Sequence, residues 1–188
     1  VNEAMIIRGL QEGLANPENP SLSREEIRAT MQDLNKEIAE KQKARLAAWQ
    51  AQSKDRGKHN RSEGDRFLKE NKQKEGVVTT RSGLQYVVMR EGEGPRPGPR
   101  DTVKVVYSGR LLDGTEFDST EKHGKPLEMS LTRAIDGWKE GITLMKTGSK
   151  YRFFIPHDLA YGSQGQPGSP IYPYAVLVFD IELLGIVP

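Results

Sequence analysis

Thr102 to Asp118 reads TVKVVYSGRLLDGTEFD. Val103, Val105 and Tyr107 alternate with Thr102, Lys104 and Val106, which is the period of a half-buried strand. Asp113-Gly114 supplies a tight turn, because Gly accepts positive φ and Asp bonds its own turn backbone. The return strand carries Phe117 and Asp118 back past Tyr107. A single hairpin therefore aims a phenol, a phenyl ring and a carboxylate at one place. A carboxylate beside apolar rings is costly unless paired, so Asp118 is expected to accept a hydrogen bond from Tyr107.

Short strands continue on both sides. Val77-Val78 and Leu84 to Val88 come first, then a turn-rich run from Gly92 to Pro99. That run lacks GxGxxG spacing, its prolines remove N–H donors and no helix follows, so it is not a phosphate loop. After the hairpin, Ser119 to Lys125 reads as loop and Pro126 to Met129 as strand. Ala134 to Leu144 reads as a short helix whose Trp138 and Ile142 face a sheet. Lys150 to Ile155 is a strand, Leu159 to Gly162 a turn and Ser163 to Pro173 a Gly/Pro/Ser-rich loop. Ala175 to Leu184 (AVLVFDIELL) closes the chain as a strand rich in β-branched and aromatic residues. About five antiparallel strands around one short helix make an α+β fold over residues 76–188.

Residues 1–75 have a different texture. Ile6, Leu10 and Leu14, with Ile7, suggest a short amphipathic helix ended by Asn16 to Pro20. Ser23-x-x-Glu26 is a capping-box pattern, and Ile27, Met31, Leu34 and Ile38 follow at helical spacing. Past Trp49 the apolar stripe fades into Lys, Glu, Gln and Arg until Phe67. An unbroken helix over residues 23–74 would run on the order of 75 Å. Nothing in its second half looks able to bury it, and Gly57 and Gly64 read as flexible points. Apolar at one end and polar at the other, the helix implies a partner at its apolar end. Gly76 closes it. The expected division is a helical arm and linker over 1–75 and a β-rich domain over 76–188.

The net charge is +2 in 188 residues. Residues 41–75 carry 11 basic and 5 acidic side chains, but the acids are interspersed and aromatics few, so the run reads as a solvated helix face with no case for nucleic acid. There is no Cys, which removes disulfides, thiol nucleophiles and Cys-ligated metals. His59, His123 and His157 show no i, i+4 pairing, so no metal site is expected. No G-x-S-x-G context exists for a serine nucleophile, and no apolar run reaches transmembrane length. No cofactor is expected. What remains is a set of aromatic and aliphatic side chains at element ends and centres.

Those side chains fall in an ordered pattern. Val105 to Leu111, Asp113 to Ser119, Gly124-Lys125-Pro126, Ile135 to Gly141, Leu159 to Gly162 and Leu177 to Leu183 follow one another with a familiar spacing. The pattern resembles the FKBP-type peptidyl-prolyl cis-trans isomerases, in particular the macrophage-infectivity-potentiator-like subgroup of bacterial envelope proteins. The capped helix and polar connector also resemble that subgroup's dimerisation region.

The resemblance implies an isomerase pocket with no metal or cofactor, in a curved antiparallel sheet around a short helix. It implies catalytic roles for Tyr107, Asp118 and Tyr161, with Phe117, Leu127, Met129, Ala134, Ile135, Trp138, Ile171 and Phe179 binding substrate. Trp138 would form the floor, the Ile135 N–H and Tyr161 hydroxyl would meet substrate carbonyls, and Ile171 would cap one side from the loop. Leu127 and Met129 stand where many relatives have aromatics, and Asp136 where the subgroup usually has Pro. Implied partners are proline-containing polypeptide clients, rapamycin-type macrolide inhibitors and a second copy through the N-terminal helices. The implied location is the periplasm, outer-membrane surface or exterior, with the cytoplasm second. Folding assistance with chaperone holding is the implied role. The competing readings are a proline or apolar-peptide binding module or holdase without useful catalysis, and a structural adaptor whose pocket residues are ordinary core.

Overall fold

The structure is a computed structural model, and it describes residues 24–187. The helix expected at Ile6 to Leu14, its Asn16 to Pro20 terminator and the Ser23 capping box lie outside the described residues. Helix α1 (Arg24–Asn71) runs unbroken for 48 residues. The described residues divide into two units between Ala48 and Trp49, so the second half of α1 belongs with the sheet.

In the first unit, Ile27, Met31, Ile38 and Leu46 are exposed. Glu37 and Lys41 pair one turn apart at 2.7 Å.

In the second unit, α1 packs on its own domain. Trp49, Gly57, Gly64 and Asn71 are buried, at the spacing of one helix face. This corrects the expectation that nothing could bury this half, and the two glycines turn out to be points of close approach. The face lacks an apolar stripe because it uses small residues, an amide and ring stacking. Asn71 Nδ2 donates to Gln85 Oε1 at 2.9 Å, and Gln85 Nε2 donates to the Leu68 carbonyl at 2.8 Å. These bonds tie the helix end to the sheet.

After Gly76 (φ 77) come β1 (Val77–Thr79), β2 (Gln85–Arg90), β3 (Thr102–Leu111) and β4 (Glu116–Ser119). A one-turn helix α2 (Thr120–His123), β5 (Leu127–Ser130), α3 (Asp136–Leu144), β6 (Lys150–Ile155) and β7 (Leu177–Val187) follow. The seven strands form one antiparallel sheet in the order β1-β2-β6-β7-β3-β4, with β5 also pairing β3. The sheet has seven strands where about five were expected; β1, β4 and β5, each named as a stretch of strand in the sequence, are only 3 or 4 residues long.

β3 alternates in burial as its sequence requires, with Val103, Val105 and Tyr107 inward. Inward residues of β7 and of its neighbour β6 complete this face, among them Ile181, Phe179, Tyr151, Phe153 and Ile155. Helix α3 closes over this face with Trp138 and Ile142. It approaches closely because Gly137 and Gly141 face the sheet. A Cβ there would fall 2.4 Å from Ile155 Cγ2 and 2.6 Å from Phe153 Cε1. The core therefore sits between α3 and the concave sheet, and the candidate site opens at one end of it.

Candidate functional site

The hairpin sets the first wall. Register places Gly109 of β3 opposite Asp118 of β4 and opposite Phe179 of β7. With no side chain at 109, the rings of Phe117 and Phe179 meet edge to face, 5.4 Å apart at 84°. Thr120, at the start of α2, bonds both the N–H and the carbonyl of Tyr107 through its hydroxyl. That contact anchors Tyr107 where β4 ends.

Trp138 lies 5.1 Å from Tyr107 at 80° and 5.2 Å from Phe179 at 83°. Tyr107 and Phe179 are tilted at 55° with centres 6.1 Å apart. With all three rings only 5 to 8% exposed, Trp138 stands edge to face with both and the group is held in one arrangement. Edge-to-face packing places the positive ring edge on the negative ring face.

Above them opens a cleft of about 330 Å³, lined by Tyr107, Phe117, Asp118, Leu127, Met129, Arg133, Ala134, Ile135, Trp138, Tyr161, Gln166, Ser169 and Phe179. Ten of the eleven side chains expected at the site converge here. Leu127 and Met129 arrive on β5, opposite Val105 and Val103. Ile135 is the capping residue of α3, and Tyr161 comes from the loop after β6.

Ile171 does not line the cleft. It is 1% exposed and packs in the core. The loop folds back on itself instead: the Gln166 N–H donates to the Ile171 carbonyl at 2.8 Å, and the Ile171 N–H donates to Ser169 Oγ at 3.0 Å. This turn directs Ile171 inward and leaves Gln166 and Ser169 on the rim. Those two, and Arg133, had no periodicity in the sequence to mark them.

Asp118 is the polar centre of an otherwise apolar wall. The Tyr107 hydroxyl donates to its Oδ2 at 2.5 Å, and the Ser119 N–H donates to its Oδ1 at 2.9 Å. His123 Nε2 also lies 2.9 Å from Oδ1, a contact missed in the sequence because His123 belongs to no motif. Burial pushes the Asp118 carboxyl up, but the bonds from Tyr107, His123 and Ser119 outweigh it and hold it below the usual carboxylate range. Burial pushes both the Tyr107 and Tyr161 hydroxyls upward, reinforced at Tyr107 by its hydrogen bond to Asp118 and at Tyr161 by the Asp118 charge, so both stay protonated at neutral pH.

A second cavity, of about 250 Å³, lies between α1 and the β3–β4 turn. Its walls carry Arg56, Glu63 and Asp113 and no cluster of rings, so the first cleft is the candidate site. Among the described residues no cluster of three or more His, Cys, Asp or Glu could hold a metal ion. No helix among them is long and apolar enough to cross a membrane.

The family of FKBP-type peptidyl-prolyl cis-trans isomerases matches residues 94–184, and the domain amino-terminal to such isomerases matches residues 1–88. The chain is 38% identical to the outer membrane protein MIP of Legionella longbeachae, over 99% of this chain and 76% of that protein. It is 41% identical to the FKBP-type peptidyl-prolyl cis-trans isomerase FkpA of Aeromonas hydrophila, over 99% of this chain and 65% of that one. The crystal structure of FkpA from Escherichia coli superposes with a TM-score of 0.70 at 36% identity, covering 100% of this chain and 83% of that one.

Proposed function

The chain belongs to the FKBP-type peptidyl-prolyl cis-trans isomerases, and from that premise we propose that its aromatic cleft takes up a prolyl ring and speeds rotation about the bond before it. The observation that carries the reading is the locked triad of Tyr107, Trp138 and Phe179, open to solvent on one side and edged by a single carboxylate.

The barrier to amide rotation, about 18 to 20 kcal/mol, comes from resonance that places partial charge on O and N. The twisted amide has lost that resonance and is less polar than the planar one. A dry apolar cleft therefore disfavours the planar state more than the twisted one and lowers the barrier. Trp138 forms the floor, while Phe117, Phe179, Leu127, Met129, Ala134 and Ile135 surround the ring. The Tyr161 hydroxyl and the Ile135 N–H meet substrate carbonyls. The Tyr107–Asp118 pair fixes the wall and sets the field at the amide. No proton or covalent bond changes hands.

Uncatalysed X–Pro isomerisation takes tens to hundreds of seconds and can limit folding, so the proposed role is folding assistance to proline-containing clients. Every residue that lines the cleft lies within 76–188, and residues 1–75 supply the arm, whose second half packs on that domain. Exposed Ile27, Met31, Ile38 and Leu46 support self-association through the arm. A dimer would offer two clefts to one unfolded client and raise avidity through effective concentration, which is the basis of a holding function. The proposed location is the cell envelope, and macrolides of the rapamycin type should compete for the cleft.

A protease-coupled assay on a short X–Pro peptide tests the reading. The cis-to-trans rate should rise in proportion to protein concentration and fall when rapamycin is added. A peptide that binds while its rate stays at the buffer value would leave only a binding module.

A further inference from the structure

The loop that rims the cleft is held from outside by a helix. The buried face of α1 meets three consecutive residues, Tyr172, Pro173 and Tyr174. Trp49 stacks on Tyr172 with ring centres 5.5 Å apart and planes within 6°, and the Tyr172 hydroxyl donates to Gln52 Oε1 at 3.2 Å. Asn60 Nδ2 donates to the Pro173 carbonyl at 2.9 Å. The Arg61 guanidinium lies 5.2 Å over the Tyr174 ring.

The helix reaches these groups because its contact face is bare. A Cβ on Gly57 would lie 3.1 Å from Pro173 Cβ, and one on Gly64 would lie 2.8 Å from Val176 Cγ2. At both points the backbone itself forms the surface against which the loop rests.

What the helix holds is a backbone state the loop would not keep alone. Tyr174 has φ 60, the one positive value outside glycine among the described residues. A bulky residue rarely adopts that conformation and keeps it only where its surroundings over-determine it. Here the surroundings are Arg61 on one side and the His157 ring, edge-on at 5.0 Å, on another.

From Tyr174 the connection to the cleft is short. Its N–H donates to the Gly162 carbonyl at 2.9 Å, beside Tyr161. Next to Tyr172, the Ile171 carbonyl accepts the N–H of Gln166. Tyr161, Gln166 and Ser169 are the part of the cleft wall supplied by this loop.

We infer that Trp49 and Asn60 are positioning residues of the isomerase site: the second half of α1 clamps the 161–174 loop and so sets the rim that receives the substrate. This rests on the isomerase reading, and it makes residues 49–64 part of the catalytic unit. The rim touches the bound peptide and not the rotating bond, so the clamp contributes uniformly to binding the ground and transition states. Loss of uniform binding raises KM and leaves kcat in place.

The experiment uses full-length Trp49→Ala, Trp49→Phe and Asn60→Ala beside the wild type, with Lys58→Ala on the exposed face of the same helix as control. Isomerisation kinetics on one X–Pro peptide are paired with amide hydrogen exchange. Trp49→Ala and Asn60→Ala should raise KM about three- to tenfold with kcat within about twofold. The Tyr174 and Gln166 amides should exchange at least about tenfold faster while those of β3 and β7 keep their protection. Trp49→Phe, which still stacks on Tyr172, should recover most of the KM.

A merely structural role would reduce the active fraction, lowering apparent kcat with KM unchanged, and that outcome overturns the inference. So does wild-type exchange at Tyr174 and Gln166 in both alanine variants. If the wild type itself does not accelerate isomerisation, the functional reading fails, and the exchange rates still decide whether the helix holds the loop.

Discussion

Gly109→Ala perturbs the cleft without replacing any side chain that lines it. The position lies near the end of β3 and has no positive φ, so Ala is sterically allowed and backbone conformation is not the obstacle. The obstacle is space. An added Cβ would stand 2.6 Å from Phe179 Cε1 and 2.7 to 2.8 Å from two atoms of the Phe117 ring, where 3.4 Å is ordinary contact. One or both rings must therefore withdraw by roughly 0.6 to 0.8 Å, since carbon atoms repel steeply inside their contact distance. Phe179 is 5% exposed and wedged against Trp138 and Tyr107. Phe117 is only partly buried, so it moves and the cleft loses its fit on that side. Overpacking of this kind costs about 1 to 3 kcal/mol of stability. A misplacement approaching 1 Å can cost up to about 100-fold in rate, so kcat/KM should fall by about 10- to 100-fold. A proline-peptide isomerisation assay and a thermal melt, run together, measure both. Adding Phe117→Leu to the variant should restore part of the stability, because the smaller side chain vacates one of the two contacts and the one with Phe179 remains. Wild-type kcat/KM and melting temperature in Gly109→Ala would refute the claim that ring geometry governs the cleft.

Other expectations follow from the same geometry. Asp118→Leu should lower turnover, about tenfold if the Tyr107–Asp118 pair sets the field at the amide, while circular dichroism stays that of the folded domain; unchanged turnover removes that role. Because the folded Asp118 carboxyl is held below its usual range, its stabilising contribution is present above the unfolded value of about 3.9 and is lost as pH falls below it. Asp118→Asn should accordingly flatten the acid limb of a plot of melting temperature against pH, and an unaltered limb would place the acid sensitivity elsewhere. Ile142→Ala, at a fully buried site on α3, should cost about 2 to 5 kcal/mol in denaturant unfolding; a loss below about 1 kcal/mol would mean that α3 is not packed as described.

The β half was legible because each of its signals is local. The alternation in Thr102 to Leu111, the Asp113-Gly114 turn and the apolar run of the last strand each declare themselves within a dozen residues. The Tyr107–Asp118 bond was also within reach, since a hairpin fixes its own register and a carboxylate among rings needs a donor. Ile171 was not legible. Its direction is set by the Gln166–Ile171 and Ser169 bonds and by the positive φ of Tyr174, none of which leaves a periodic trace. His123 was invisible for a similar reason, because its value lies in a contact with Asp118 five residues away across a turn. The second half of α1 misled for a different cause. A face built from two glycines, an asparagine and a tryptophan registers as polar and flexible on any hydrophobicity scale, yet it is the face that packs.

The most direct test is to follow cis–trans exchange of an X–Pro tetrapeptide by NMR, without a coupling protease, in H2O and in D2O. A non-covalent mechanism in a desolvated aromatic cleft predicts an exchange rate that rises linearly with protein concentration, with a solvent isotope effect close to one. Exchange no faster than in buffer would contradict catalysis, and an isotope effect of about two or more would mean that a proton moves in the rate-limiting step.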